Sequence, residues 1–167
     1  MSATSSRSSR AFAVPAGLLG AGIGGLFDGV LLHQVLQWHH MLTSAGRSAH
    51  TVAGLEANTL ADGVFHLGCL VLLGVGAAAT WGAVRDRGVP RAWVLIAWIL
   101  VGWGLFNLVE GLIDHQILGI HHVRAGPDQA WYDAGYLALG AVLVASGPLL
   151  SRRSAATSPS RPGVGRR

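Results

Sequence analysis

Four long apolar runs divide the chain: Pro15 to Trp38, Thr59 to Val84, Ala92 to Leu118 and Trp131 to Leu150. Each reaches or exceeds the ~20 residues that an α-helix needs to cross the ~30 Å hydrocarbon layer of a bilayer. Strictly alternating polar and apolar segments, the mark of a membrane barrel, do not occur. The pattern predicts an all-α polytopic membrane bundle of four helices, with a transmembrane domain over residues 12–150. Residues 1–11 and 151–167 are rich in Ser, Arg, Pro and Ala, have little apolar area to bury, and are expected to be disordered tails.

Polar residues inside these runs recur in a fixed pattern. Asp28-Gly29, His33-Gln34, Leu36 and His39-His40 reappear 82 positions later as Glu110-Gly111, His115-Gln116, Leu118 and His121-His122. A weaker echo relates Asp62-Gly63-Val64-Phe65 to Asp133-Ala134-Gly135-Tyr136. Two repeated helix pairs are therefore expected, about 15–84 and 92–150, in the same orientation about an axis along the membrane normal.

Composition agrees with membrane insertion. Apolar residues make up 51% of the chain and charged residues 12%, far from the share typical of soluble domains. The formal charge of +4 comes from arginine, since lysine is absent. Ten of the twelve arginines lie in the two tails and the loop of Arg85, Arg87 and Arg91, against Arg47 and Arg124 in the other two loops. Arginine accumulates on the cytoplasmic side, so both termini are expected there, in a multi-pass protein of the inner (plasma) membrane. Trp38, Trp81, Trp93 and Trp131 fall near span ends, where amphipathic rings favour the interface. Arg7 and Arg10 before an apolar stretch raise a signal peptide, but the small-residue Ala11-Phe12-Ala13 precedes the apolar run instead of following it, so a retained first span is expected. No soluble face interleaves basic and aromatic residues, which excludes a nucleic-acid reader. The expected surroundings are the lipid bilayer, with a homo-oligomer or a membrane-complex partner left open. Cys69 has no second cysteine to pair with.

Charged groups facing lipid cost about 2.5 kcal/mol or more each, so the acids and histidines of the spans should turn inward and pair, coordinate or reach water. On an α-helix, His33 and His40 would fall within roughly 20° of one another, about 10 Å apart along the axis, as would His115 and His122. Asp28 with His39, and Glu110 with His121, would form a second stripe, joined by Asn107 and Asp114. The two double-His ends would then sit at the outer interface, with Asp28 and Glu110 nearer mid-membrane.

Neutral imidazole with carboxylate is the ligand set of Zn, Fe, Mn or Cu, and facing helices can bring such ligands together on one ion. The candidates are His33, His66, His115, Asp28, Asp62, Glu110 and Asp133, with His39, His40, His121 and His122 at the outer end. Haem between His33 and His115 fits less well than a bare ion, because several acids lie close by. Cu(I) would prefer sulfur, and only Met41 is placed to provide it. Two other readings use the same residues: a hydrogen-bonded network that locks helices in a non-enzymatic assembly or interaction protein, and a proton or ion path, which the apolar inner halves of the helices disfavour. No nucleophile with an attendant base stands out, and the several closely spaced histidine boxes of membrane hydroxylases are missing. The glycines of Gly20-Ala-Gly22-Ile-Gly24-Gly25 lie inside a span with no preceding strand, so they read as close helix packing and not as a nucleotide loop.

At Phe27-Asp28-Gly29, His33-Gln34, Trp38-His39-His40, Glu110-Gly111, Asp114-His115 and Gly119-Ile120-His121-His122-Val123-Arg124, the chain resembles a bacterial family of small predicted membrane proteins, domain of unknown function 2243. The likeness covers about residues 15–150. It implies a membrane protein marked by these polar positions, and it implies no activity.

Overall fold

The computed structural model describes residues 9–156. The expected disorder of the tails falls largely outside the described residues. Four membrane-length helical spans make up the fold, as the apolar runs predict. The first consists of α1 (Ala13–Asp28) continued by a π-helical segment, π1 (Gly29–Val35); α2 (Val52–Arg87) is the second. The third is α3 (Ala92–Glu110) continued by π2 (Gly111–Ile117), and α4 (Gln129–Ala156) is the fourth. Thr51 caps α2, its side-chain oxygen accepting from Gly54 N at 3.2 Å, which starts this helix a full turn and more before the apolar run does. Arg85 and Arg87 occupy its last turn, where cations complement the helix dipole, and Gly88 ends it at φ 82°.

Helices α1 and α3 form the central pair; α2 packs on α1 and α4 packs on α3. Glycine makes these contacts close, as expected where association depends on van der Waals packing between backbones. A Cβ on Gly20 would strike the Ile99 carbonyl, and one on Gly102 would strike the Gly17 carbonyl. Large apolar side chains such as Leu60, Val64, Leu67 and Val71 of α2 point outward, which suits lipid and would be costly in water. Trp81, Trp93 and Trp131 are exposed near span ends.

The largest departure from the expected helices is at the end that carries the loops 36–51 and 118–128. The first span ends at Val35, not at Trp38. In π1 and π2 the backbone closes i→i−5 bonds, Leu36 N to Leu31 O at 2.8 Å and Leu118 N to Ile113 O at 2.8 Å. A wider closure follows, Trp38 N to Leu32 O at 3.0 Å and Ile120 N to Asp114 O at 3.1 Å. Between them stands a residue in the left-handed region: Gln37 at φ 50° and Gly119 at φ 57°. This arrangement is a helix C-terminal reversal widened by one residue. It takes the chain out of the helix before the double-His pairs, so the α-helical stripes drawn through His33 and His40, and through His115 and His122, do not exist. After the reversal His39 and His121 fold back inward, and both are buried, at 3% and 0% exposure.

Candidate metal centre

Two carboxylates on the flanking helices organise the histidines. Asp62 of α2 is 1% exposed. Its Oδ1 accepts from His33 Nδ1 at 2.9 Å and from Met41 N at 2.9 Å. Its Oδ2 accepts from His40 Nδ1 at 2.6 Å and from Gln34 Nε2 at 3.2 Å. Asp133 of α4 does the corresponding work, accepting from His122 Nδ1 at 2.7 Å and Val123 N at 3.0 Å, with His115 Nδ1 at 3.5 Å. An imidazole that gives Nδ1–H to a carboxylate keeps its lone pair on Nε2, and its ring is held in one orientation. Asp62 thereby turns His33 toward the middle of the protein, and both carboxylates fix the loop after each π-helix; His115 Nδ1, 3.5 Å from Asp133, makes no hydrogen bond to it.

Four imidazoles meet there. His33 and His39 have ring centroids 4.3 Å apart, and His115 and His121 lie 4.9 Å apart. His39 stacks on His121 at 4.9 Å with 9° between planes. The cross distances agree too, 5.9 Å for His33–His121 and 6.3 Å for His39–His115. His39 Nδ1 donates to the Val123 carbonyl at 2.9 Å; because that oxygen can only accept, Nε2 of neutral His39 carries a free lone pair. Burial pushes His39 down to about 3, so its ring is neutral at ordinary pH.

Two carboxylates approach this quartet from the central helices. Asp28 Oδ2 lies 3.3 Å from His33 Nε2, and Glu110 Oε1 lies 3.1 Å from His121 Nε2 and 3.6 Å from His115 Nε2. Tyr136 donates its hydroxyl proton to Glu110 Oε2. Several buried polar atoms here have no hydrogen-bond partner of good geometry in the protein: Asp28 Oδ2, His33 Nε2, His39 Nε2, His121 Nδ1 and both ring nitrogens of His115. Buried polar atoms are almost always satisfied, and so many orphans converging on one spot suit a group that accepts lone pairs. Donor atoms of His33, His39 and His121 lie within 4.8 Å of one another, as do those of Glu110, His115 and His121.

The remaining residues singled out in the sequence occupy outer positions. His40 and His122 each bond to the flanking carboxylate, with ring centroids 6.4 Å from His33 and 6.3 Å from His115. His66 sits with its ring 6.4 Å from His33 and belongs to neither three-residue group. A Cβ on Gly29 would meet its imidazole, so glycine there makes room for it. Tyr136 is a site residue that hydropathy and histidine spacing do not bring forward. Its signal was the weaker echo, which matches it to Phe65, and Phe65 stacks on His33 at 5.7 Å. Over the loop end, Arg124 lies 5.4 Å from the ring centroids of both Trp38 and Tyr132 and donates to the Tyr132 hydroxyl at 2.8 Å.

A search among curated proteins and another among solved structures found no match. A family model does match, over residues 15–154, and that region holds nearly all of the four spans and every residue of the centre. The chain thus belongs to the family described as predicted membrane protein, domain of unknown function 2243 (DUF2243).

Proposed function

We propose that this protein binds a transition-metal ion inside the membrane, through His33, His39, His115, His121 and Glu110, with Asp28 adjoining. The observation that carries the reading is the convergence of unpartnered ring nitrogens whose opposite nitrogens, in His33 and His39, are already committed to Asp62 and to the Val123 carbonyl. Metal-binding histidines characteristically use their second nitrogen in this way. The nitrogen and oxygen donors suit Zn, Fe, Mn or Cu(II). The stack of His39 on His121 occupies the space between His33 and His115, which favours a bare ion over a porphyrin. A bound ion would supply Lewis-acid or redox chemistry at this point; the chain's own residues orient the ligands and exclude lipid.

Arginine distribution supports cytoplasmic termini and, with them, a centre near the extracytoplasmic face of the plasma membrane. Descent from a duplicated helix pair is supported by features that recur at the 82-residue spacing of the sequence repeat, π1 with π2 and Gln37 with Gly119, and by the like duties of Asp62 and Asp133, the pair related by the weaker echo. A second reading, a network that only locks the helices, draws on the four hydrogen bonds accepted by Asp62. Elemental analysis of protein purified in detergent, before and after dialysis against a chelator, separates the two. Stoichiometric metal that chelation removes is the expected result; protein that neither carries nor takes up any metal would refute the metal reading.

A further inference from the structure

We propose that the centre holds two divalent metal ions, bridged by His121, one on the His33 and His39 side and the other on the Glu110 and His115 side. The inference rests on the metal reading above and adds nuclearity and the bridging residue to it.

Three observations carry it. First, the donors form two groups, and His121 is the member they share. Its Nε2 faces Glu110 Oε1 at 3.1 Å, while Nδ1 is buried and unpartnered. One imidazole can serve two ions only by offering a different nitrogen to each. His121 then becomes an imidazolate, and its N–H proton is released to water when the second ion binds.

Second, charge permits two ions. Asp28, Asp62, Glu110 and Asp133 are all buried, and among the described residues the basic groups in ion-pair contact with them are histidines. Burying ionised carboxylates without compensating positive charge is costly. Four carboxylates, with the histidines that share protons with them, can accommodate two dications, the protons leaving as the ions enter.

Third, each half presents the same set, a carboxylate and two histidines: Asp28, His33 and His39, then Glu110, His115 and His121. The ring geometry is likewise paired, 4.3 and 4.9 Å within halves and 5.9 and 6.3 Å across them. Six first-contact residues exceed what one tetrahedral ion requires. The flanking carboxylates correspond in part: Asp62 bonds His33 and His40, while Asp133 bonds His122 and lies 3.5 Å from His115. The halves differ at one point: Tyr136 gives the Glu110 side a phenol where the His33 side has Phe65.

The test uses the full-length protein in detergent, stripped by chelator and titrated with Cu(II), with metal counted per chain after desalting and the loaded sample examined by electron paramagnetic resonance. Expected are two ions per chain, loss of the isolated Cu(II) signal through exchange coupling, and release of a proton with the second ion. His39→Ala and Glu110→Gln should each retain one ion and restore an uncoupled signal, in protein that elutes from size exclusion as the wild type does. Saturation of the wild type at one ion overturns this inference and leaves the metal reading standing. Two ions with no magnetic coupling also overturn it, since His121 would not bridge. No binding at all overturns both. The wild-type count and spectrum decide the matter even if a variant fails to fold.

Discussion

Asp62→Asn probes how the flanking carboxylate controls the centre, because it keeps the shape of the side chain and removes its charge. The carboxylate accepts four hydrogen bonds: two at Oδ1 from His33 and Met41, and two at Oδ2 from His40 and Gln34. In the variant the amide oxygen can keep the first pair, but the NH2 then faces two donors. All four are bonds to a charged acceptor, each contributing about 1.5–3 kcal/mol. Loss of the His40 bond, with weakening of the His33 bond, predicts destabilisation of about 2–4 kcal/mol. Metal affinity should fall about 10–100-fold, the usual effect of removing an outer-sphere partner of a histidine ligand. Asp133→Asn should destabilise less, because Asp133 holds His115 only at 3.5 Å and His122 is the more exposed of the paired outer histidines. The assay is thermal unfolding in detergent followed by a cysteine-reactive dye, since Cys69 is buried in the fold, alongside metal competition with a chromogenic chelator. A variant that melts with the wild type and binds metal within twofold of it would refute the assigned role of Asp62.

Further outcomes follow from the same geometry. Gly102→Val should block the approach of α3 to α1, since the added atoms would meet the Gly17 carbonyl; a cost of about 3 kcal/mol or more is expected, read as loss of monodisperse protein in size exclusion. Tyr136→Phe removes the donor to Glu110 Oε2, which should destabilise by about 1–2 kcal/mol and weaken metal binding on the Glu110 side while leaving His39-dependent binding intact in the titration. Gln37→Gly relieves a left-handed backbone at φ 50°, the conformation that glycine holds at position 119; the expected change is a small gain, up to about 1 kcal/mol, and a lower melting temperature would contradict it. Alkaline phosphatase fused within residues 41–50 should be active in a bacterial host and a fusion after residue 150 inactive, and the reverse pattern would overturn the arginine-based orientation.

Membrane insertion and the number of spans were legible in the chain because they depend on length and apolar content alone: ~20 apolar residues must cross the bilayer as a helix whatever they pack against. The residues of the centre were legible for a related reason. Acids and histidines within such spans cannot face lipid, so Asp28, His33, Asp62, Glu110, His115 and Asp133 had to turn inward, and they are all buried. The division of labour among them was not legible. Asp62 and Asp133 have the same composition-level signal as Asp28 and Glu110, and only the packing of α2 and α4 against the loops makes them clamps on His40 and His122. Nor did helical periodicity anticipate the π-helical ends, because a one-residue widening depends on tertiary contacts that outweigh the small cost of the poorer turn. That widening, with the left-handed Gln37 and Gly119, returns His39 and His121 to the interior. The kinds of residue that meet in the centre are thus a property of the sequence, while their meeting as four imidazoles depends on two chain reversals that only the folded protein defines.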